Sequence, residues 1–274
     1  MQLDHVVDKF ANIVLTEGIA GSGKSGGVFD STVRVIKQIN PELLKNAFFV
    51  NATLKNAEVS LNTLDIEGKA FSSSDEETDN DLIRYFYSDF DDNYDGKVVI
   101  TNGVIQTKFQ LRKDLIDLPK VIFIDEASRY DYIKMKLISE AAQHYGIAVL
   151  AAGDFDQISA QSKISINGEN YVLNPNRLNF IRSSKLGLSF RTLNSQMVAN
   201  QTEIQANLHN DKKLSFNIHS WEDDKEIRGF KVYEDSNFDK IVASIEKIRK
   251  LLKPEDKIGF LYADKNKSVL EKLK

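Results

Sequence analysis

The feature that most limits the possible folds is a glycine-rich turn that follows a hydrophobic run near the amino terminus. Phe10 to Thr16 reads FANIVLT, and the turn is Gly18-Ile19-Ala20-Gly21-Ser22-Gly23-Lys24-Ser25. Glycines at this spacing let backbone N–H groups curl around phosphate oxygens at the start of a helix. The pattern therefore predicts a phosphate-binding loop between a strand and a helix over Ser25 to Gln38. The alternative is a chance glycine-rich turn, which would not require a strand before it and a helix after it.

Four further short apolar runs have the length of buried strands and are bounded by polar or glycine-containing turns. They are Ala47 to Val50, Val98 to Thr101, Val121 to Ile124 and Ala148 to Ala152. Between the last two, Tyr132 to Tyr145 has apolar residues at helical spacing. This alternation predicts an α/β fold with a mainly parallel sheet flanked by helices.

Composition limits the expected cellular location of the protein and the ways in which it could bind nucleic acid. The 274 residues are 42% hydrophobic and 28% charged, with no cysteine, and no apolar run approaches the length that crosses a bilayer. The first ten residues lack the features of a secretory signal. We therefore expect a cytoplasmic protein without a membrane segment. The net charge of -4 argues against coating nucleic acid by bulk charge, although a local groove remains compatible with it.

Two segments interrupt the alternation of strands and helices. Residues 75–95 carry nine acidic residues and one basic residue, which predicts an exposed, mobile insertion at about 72–96. The polar stretch His219 to Glu226 precedes a new series of strand and helix patterns. We expect the first domain to occupy residues 1–222, and residues 228–274 to be the beginning of a second α/β domain.

The glycine-rich loop predicts a nucleotide site. The loop residues Gly21, Ser22 and Gly23 would surround phosphate oxygens, and Lys24 would neutralise the β- and γ-phosphates. Ser25 would offer its hydroxyl to Mg²⁺, which keeps water and phosphate oxygens in its other positions.

A pair of carboxylates follows the apolar run Val121 to Ile124. Asp125 and Glu126 stand at the carboxyl end of this predicted strand. Asp125 would hold Mg²⁺ directly or through water, and Glu126 would polarise the water that attacks the γ-phosphate. The alternative is that both acids cap the next helix. Their occurrence together with a phosphate-binding loop favours catalysis.

Four segments occur in an order that resembles superfamily 1 helicases and translocases. These are GIAGSGKS (18–25), IDEAS (124–128), GDFDQ (153–157) and SFRTLN (189–194), which are similar to motifs I, II, III and IV. The segment Phe48 to Leu61 is similar to motif Ia, and Asp125 to Asp131 is most similar to the RecD/Dda-like branch. The resemblance covers most of residues 1–195 and implies a RecA-like P-loop NTPase domain that uses ATP. No match to motifs V and VI is found, so we expect a fragment of a larger polypeptide.

The resemblance also implies roles for single residues. Gln157 would sense the γ-phosphate, and Arg191 would act as an arginine finger that stabilises charge on the transferred phosphoryl group. Gln2, which lies 16 residues before Gly18, stands about where such helicases carry the glutamine that reads adenine. The alternatives are a capping amide for Gln157, a surface arginine for Arg191 and an unremarkable terminal glutamine for Gln2.

Three residues are candidates for contact with nucleic acid. Thr53 and Lys55 would contact phosphates from the loop similar to motif Ia, and Phe155 would stack near a base. The alternatives are that Thr53 and Lys55 lie in a solvated loop and that Phe155 is a core residue.

Asp91 to Asn102 matches the first half of a calcium loop, but its twelfth position is Asn102, where the loop needs glutamate. A polar turn before a strand explains that stretch more simply.

The sequence thus predicts an ATP-hydrolysing motor domain that acts on single-stranded nucleic acid, with DNA favoured over RNA. A nucleotide-switched binding module in a larger assembly, such as a virion or phage-type protein, is the alternative because motifs V and VI are not found. A P-loop kinase acting on a small molecule is disfavoured, since such an enzyme would not be expected to carry these motifs in this order.

Overall fold

The computed structural model describes most of residues 12–155 and short stretches beyond them. The described residues are 12–19, 21–74, 78, 80–91, 93–94, 96–101, 104–130, 132–155, 165–166, 169–170, 181–186 and 250. The strands and helices among them belong to one compact unit, residues 1–191. The predicted domain boundary after residue 222 lies outside the described residues, as does nearly all of 228–274, so both stay predictions.

Strands and helices alternate along the described chain. The strands are β1 (Ile13–Gly18), β2 (Ala47–Asn51), β3 (Gly68–Ser72), β4 (Val98–Thr101), β5 (Val104–Thr107), β6 (Val121–Ile124), β7 (Ala148–Gly153), β8 (Ser165–Ile166), β9 (Glu169–Asn170) and β10 (Ile181–Leu186). The α-helices are α1 (Asp30–Ile39), α2 (Leu54–Leu64), α3 (Asp81–Phe86) and α4 (Tyr132–Tyr145). A π-helical turn, Lys24–Phe29, leads into α1, and 3₁₀ turns occupy Pro41–Leu44 and Ala127–Arg129. None of the helices in the described part of the chain is long and apolar enough to cross a bilayer.

Six of these strands form one parallel sheet in the order β10-β1-β7-β6-β2-β3. Strand β1, which leads into the glycine-rich loop, is separated from β6, which leads into Asp125, by β7 alone. The carboxyl ends of parallel strands meet at one edge of a sheet, where ligands of such α/β folds bind. The predicted α/β class is confirmed: a parallel sheet of six strands is flanked by helices.

Each face of the sheet is covered by its own layer of helices. Side chains alternate along β2, so Phe48 and Val50 belong to the core beneath α3 and α4, whereas Phe49 belongs to the core beneath α1 and α2. On the second face, the Phe29 ring packs edge-on against Phe49 and Phe123, with centroids 5.7 Å and 5.4 Å apart. A strand buried on both faces needs apolar residues at every position, which explains the unbroken run AFFV.

The predicted strand Val98 to Thr101 exists but does not join the parallel sheet. It is β4, and it pairs antiparallel with β5 in the register Val98↔Thr107. A short apolar run indicates burial and extended backbone but not which strand it pairs with. Two strands of the main sheet, β3 and β10, were not predicted at all.

The charge of the segment at 72–96 predicts an exposed insertion, but its described residues include a helix with a buried face, α3. Leu82, Ile83 and Phe86 of α3 are fully buried, and the Phe86 ring stacks on Tyr145 of α4 with centroids 5.9 Å apart. The acidic Asp81 and Asp91 point to solvent. The prediction of an exposed segment is therefore wrong for α3, because its apolar residues recur at helical spacing and bury one face.

The stretch that partly matches a calcium loop forms a turn in its described portion. The Asp91 carbonyl and carboxylate accept hydrogen bonds from the backbone N–H groups of Tyr94 (3.2 Å) and Asn93 (3.0 Å). Asp92, Asp95 and Asn102 lie outside the described residues. The polar turn that leads into β4 accounts for this geometry.

Candidate functional site

The glycine-rich loop has the backbone geometry that its glycines allow. Gly21 and Gly23 lie in the left-handed region, with φ of 76° and 85°, which side chains disfavour. Gly18 is required for a different reason: a Cβ atom there would lie 2.6 Å from Ser22 Oγ and 2.9 Å from Leu186 Cβ. The backbone at Gly18 therefore packs closely against Ser22 of the same loop and against Leu186 of β10. The Ser22 hydroxyl is buried and has no hydrogen-bond partner among the described residues.

Lys24 is folded back onto the loop. Its side chain is 8% exposed, and its Nζ donates hydrogen bonds to the carbonyl oxygens of Gly18 and Ile19, the latter at 2.9 Å. These bonds hold the ammonium beside the backbone that the sequence pattern assigns to phosphate binding. A buried ammonium interacts more strongly with an anion than an exposed one does, because the surrounding dielectric constant is low.

The structure brings the loop and the carboxylate pair into contact although they are 100 residues apart. Ser25 Oγ donates a hydrogen bond of 2.6 Å to Asp125 Oδ2. The other carboxylate oxygen, Oδ1, accepts the backbone N–H of Glu126 at 3.0 Å, and the Asp125 N–H donates to Val50 O at 2.8 Å. The loop serine and the Glu126 N–H thus fix the Asp125 carboxylate, and β2 fixes its backbone.

Glu126 adopts a backbone conformation that is unusual for a residue with a side chain. Its φ and ψ are 54° and 42°, in the left-handed region, and such strained residues concentrate at functional sites. It precedes the 3₁₀ turn Ala127–Arg129, but its side chain makes no capping hydrogen bond. The interpretation of Glu126 as a helix cap therefore finds no support in the geometry.

Burial raises the pKa of both carboxyl groups above their ordinary values. For Asp125, burial outweighs the hydrogen bond from Ser25 and the nearby charge of Lys24, which lower its pKa. For Glu126, burial is again the largest cause, and the negative charges of Asp125 and Asp154 raise its pKa further. Three carboxyl groups at one end of the sheet create a local negative potential that a cation would relieve.

The residues present fit a small hard cation. Ser25 and Asp125 offer hydroxyl and carboxylate oxygens, which are the ligands that Mg²⁺ prefers, and the two side chains are already in contact at 2.6 Å. In the described part of the chain no group of three or more His, Cys, Asp or Glu residues could form a metal cage. Mg²⁺ is usually held by one or two protein ligands and completed by water and phosphate oxygens.

One polar residue of this site was missed by the sequence analysis. Asn51 ends β2, and its Nδ2 donates to Asp125 Oδ2 at 3.2 Å. The available signal was an amide at the end of a fully apolar strand, AFFVN, but nothing in the sequence shows that β2 lies beside β6.

The elevated pKa of Asp125 predicts how stability depends on pH. Burial disfavours the ionised group in the folded protein, so the contribution of Asp125 to the free energy of unfolding should fall as pH rises above the ordinary value of 3.8. Asp125→Asn cannot ionise, and its stability relative to the wild type should therefore increase between pH 4 and 7 in the absence of nucleotide and cation. Urea unfolding at both pH values measures this difference.

Asp65→Asn is the matched control for this measurement. Asp65 is exposed, and the hydrogen bond from Lys37 lowers its pKa. Its replacement should shift the pH dependence in the opposite direction, because a carboxyl with a lowered pKa stabilises the fold above its unfolded pKa. Equal pH slopes for Asp125→Asn and the wild type would contradict the assignment of Asp125 as a buried carboxylate.

Several predicted residues cannot be placed. Gln2, Gln157 and Arg191 lie outside the described residues, and their predicted roles stay predictions. Thr53 is described: its Oγ accepts the N–H of Asn56 at 3.2 Å and caps α2. Lys55 is exposed, whereas Phe155 packs against the core, which agrees with the interpretation of Phe155 as a core residue.

Comparisons with known proteins were made by sequence and by structure. No protein-family model matches the chain, and no curated protein matches it. Among solved structures, the chain is similar to unliganded Pif1 from Bacteroides sp., with 16% identity and a TM-score of 0.39, covering 75% of this chain and 43% of that one. It is also similar to Pif1 helicase from Candida albicans, with 14% identity and a TM-score of 0.42, covering 96% of this chain and 57% of that one. The chain thus spans about half the length of these solved structures.

Proposed function

We propose that this chain is the ATP-binding and ATP-hydrolysing motor domain of a superfamily 1-type helicase or translocase that acts on single-stranded nucleic acid. The observation that carries the proposal is the 2.6 Å hydrogen bond from Ser25 Oγ to Asp125 Oδ2. It joins the phosphate-binding loop to the acidic strand end. The same proposal has four finer parts. The motor belongs to the RecD/Dda-like branch, acts on DNA in preference to RNA, is located in the cytoplasm and is part of a longer polypeptide.

The binding step relies on the loop. Its backbone N–H groups, freed by the left-handed Gly21 and Gly23, would surround the phosphates, and the Lys24 ammonium would leave the Gly18 and Ile19 carbonyls to pair with them. Ser25 and Asp125 would hold Mg²⁺, which when bound neutralises charge on the phosphate oxygens. The Lys24 ammonium lies at the loop, where it contacts the carbonyl oxygens of Gly18 and Ile19.

The hydrolytic step relies on Glu126. As a general base, its carboxylate would accept a proton from the water that attacks the γ-phosphate, while the bond from the γ-phosphorus to the β–γ bridging oxygen breaks and ADP leaves. A general base works best when its pKa lies near the working pH, and burial together with Asp125 raises the pKa of Glu126 towards that range. Asp125 stays fixed by Ser25 and by the Glu126 N–H while Glu126 takes up the proton.

An ATPase assay with and without single-stranded nucleic acid tests the proposal. We expect the full-length protein to hydrolyse ATP and single-stranded DNA to stimulate turnover, with single-stranded RNA as the comparison. Stimulation is expected because a motor couples hydrolysis to movement along its strand. Turnover that is indifferent to both DNA and RNA, together with no affinity for either by fluorescence anisotropy at low salt, would instead favour a nucleotide-switched binding module.

A further inference from the structure

Asn51 places an amide directly against the carboxylate of the candidate cation site. Its side chain is 7% exposed, and its Nδ2 donates to Asp125 Oδ2 at 3.2 Å. The same oxygen accepts the Ser25 hydroxyl at 2.6 Å. The contact follows from the sheet register, because β2 pairs with β6 through Val50↔Ile124. Asn51 follows Val50 in β2, and Asp125 follows Ile124 at the end of β6.

The other end of this amide is held in place as well. Asn51 Oδ1 accepts the backbone N–H of Ala52 at 2.6 Å. With its oxygen committed to that donor, the amide must present its NH₂ group on the opposite side, towards Asp125. The two hydrogen bonds together fix the orientation of the Asn51 side chain.

The backbone around Asn51 is anchored to the serine-rich turn that follows β3. Asn51 O accepts the N–H of Ser73 at 2.9 Å. Ala52 O accepts two hydroxyl groups, Ser72 Oγ at 3.0 Å and Ser74 Oγ at 2.6 Å. These bonds fix the strand end from which the Asn51 side chain reaches Asp125.

We propose that Asn51 is a positioning residue of the cation site, whose amide fixes Asp125 Oδ2 beside Ser25 and thereby sets how tightly these two residues hold a divalent cation. This inference rests on the proposed function, in which Ser25 and Asp125 bind the cation. The amide donates to a buried carboxyl group, and it orients one of its oxygens. Outer-shell hydrogen-bond donors of this kind change metal affinity by about 10- to 100-fold when they are removed.

The test replaces Asn51 with leucine, which has a similar volume and cannot donate. The probe is Mn²⁺ in the presence of ADP, with free Mn²⁺ measured by electron paramagnetic resonance. We expect the dissociation constant for Mn²⁺ to rise by about 10- to 100-fold. We also expect the Mg²⁺ concentration for half-maximal ATP turnover to rise in parallel, while the kcat at saturating Mg²⁺ changes by less than about threefold.

Asn12→Leu is the matched control because it removes another hydrogen-bonded amide, away from the site. Asn12 Nδ2 donates to Ser139 O at 2.8 Å, and its Oδ1 accepts Ser139 Oγ at 2.6 Å, at the start of β1. It should lower stability without changing Mn²⁺ affinity. A third variant, Asn51→Gln, keeps the carboxamide and should bind Mn²⁺ more tightly than Asn51→Leu; it also serves if the leucine variant fails to fold.

The outcomes separate this inference from the proposed function. Wild-type Mn²⁺ affinity in Asn51→Leu, equal weakening in Asn51→Leu and Asn12→Leu, or the absence of Mn²⁺ binding by the wild type would each overturn the role of Asn51. If the wild-type protein binds Mn²⁺ with ADP but does not hydrolyse ATP, the proposed function fails. In that case the Mn²⁺ affinities of the variants still test whether Asn51 is a positioning residue of the cation site.

Discussion

Lys24→Ala is expected to lower ATP turnover by about 10²-fold or more, because it removes the positive charge that faces the phosphates in a site of low dielectric constant. The loop itself should persist. The substitution removes the Nζ hydrogen bonds to Gly18 O and Ile19 O, but the left-handed Gly21 and Gly23 still shape the backbone. Steady-state hydrolysis of MgATP and equilibrium binding of a fluorescent ATP analogue measure the loss.

Lys37→Ala is the control for the same loss of backbone contacts. Lys37 Nζ also donates to backbone carbonyl oxygens, those of Leu64 at 3.2 Å and Asp65 at 2.7 Å, but on the surface beside α2. It should leave turnover unchanged. Thermal unfolding of both variants shows whether they remain folded. Wild-type turnover in a folded Lys24→Ala variant would remove the basis for placing ATP at this loop.

The second large effect is expected from Glu126→Gln, which keeps the size of the side chain and removes its ability to accept a proton. We expect kcat to fall by about 10²- to 10⁴-fold, the usual contribution of a general base. Binding of MgATP should be retained, since Lys24, Ser25 and Asp125 are unchanged. Burst-phase measurements separate a slow chemical step from slow product release.

Glu140→Gln provides a comparison for removing a half-buried, hydrogen-bonded carboxylate elsewhere. Glu140 on α4 accepts the Thr107 hydroxyl and pairs with Lys136 at 3.4 Å. Its replacement should alter stability but not kcat. If Glu126→Gln hydrolyses ATP at the wild-type rate, Glu126 is not the base; if it loses ATP binding as well, its role lies in binding.

The sequence was sufficient for those parts of the site that depend on local pattern. The spacing from Gly18 to Ser25 and the acids after Val121 to Ile124 were recognisable because each motif is contiguous, and the structure brings Ser25 and Asp125 together. Helix α4 was also predicted with its observed bounds, Tyr132–Tyr145, because apolar residues repeat at helical spacing.

The parts that were missed depend on partners distant in sequence. Strand β3, with the sequence GKAFS, has low intrinsic strand propensity and exists because it pairs with β2. The role of Asn51 depends on β2 and β6 being neighbours, which is a property of sheet order. Helix α3 was missed because the many acidic residues around Leu82, Ile83 and Phe86 indicated an exposed segment. The helical spacing of these three apolar residues was not considered.

The strand order also determines when this protein can acquire its nucleotide site during synthesis. Strand β1 pairs with β7 and β10, and its contact Ile13↔Val149 joins residues far apart in the chain. Within the described sheet, β1 therefore has no partner strand until β7 has been translated. By contrast, β2, α2 and β3 are close in sequence and can form early, since local contacts form fastest. We expect ATP binding to appear in nascent chains only after Gly153 has emerged.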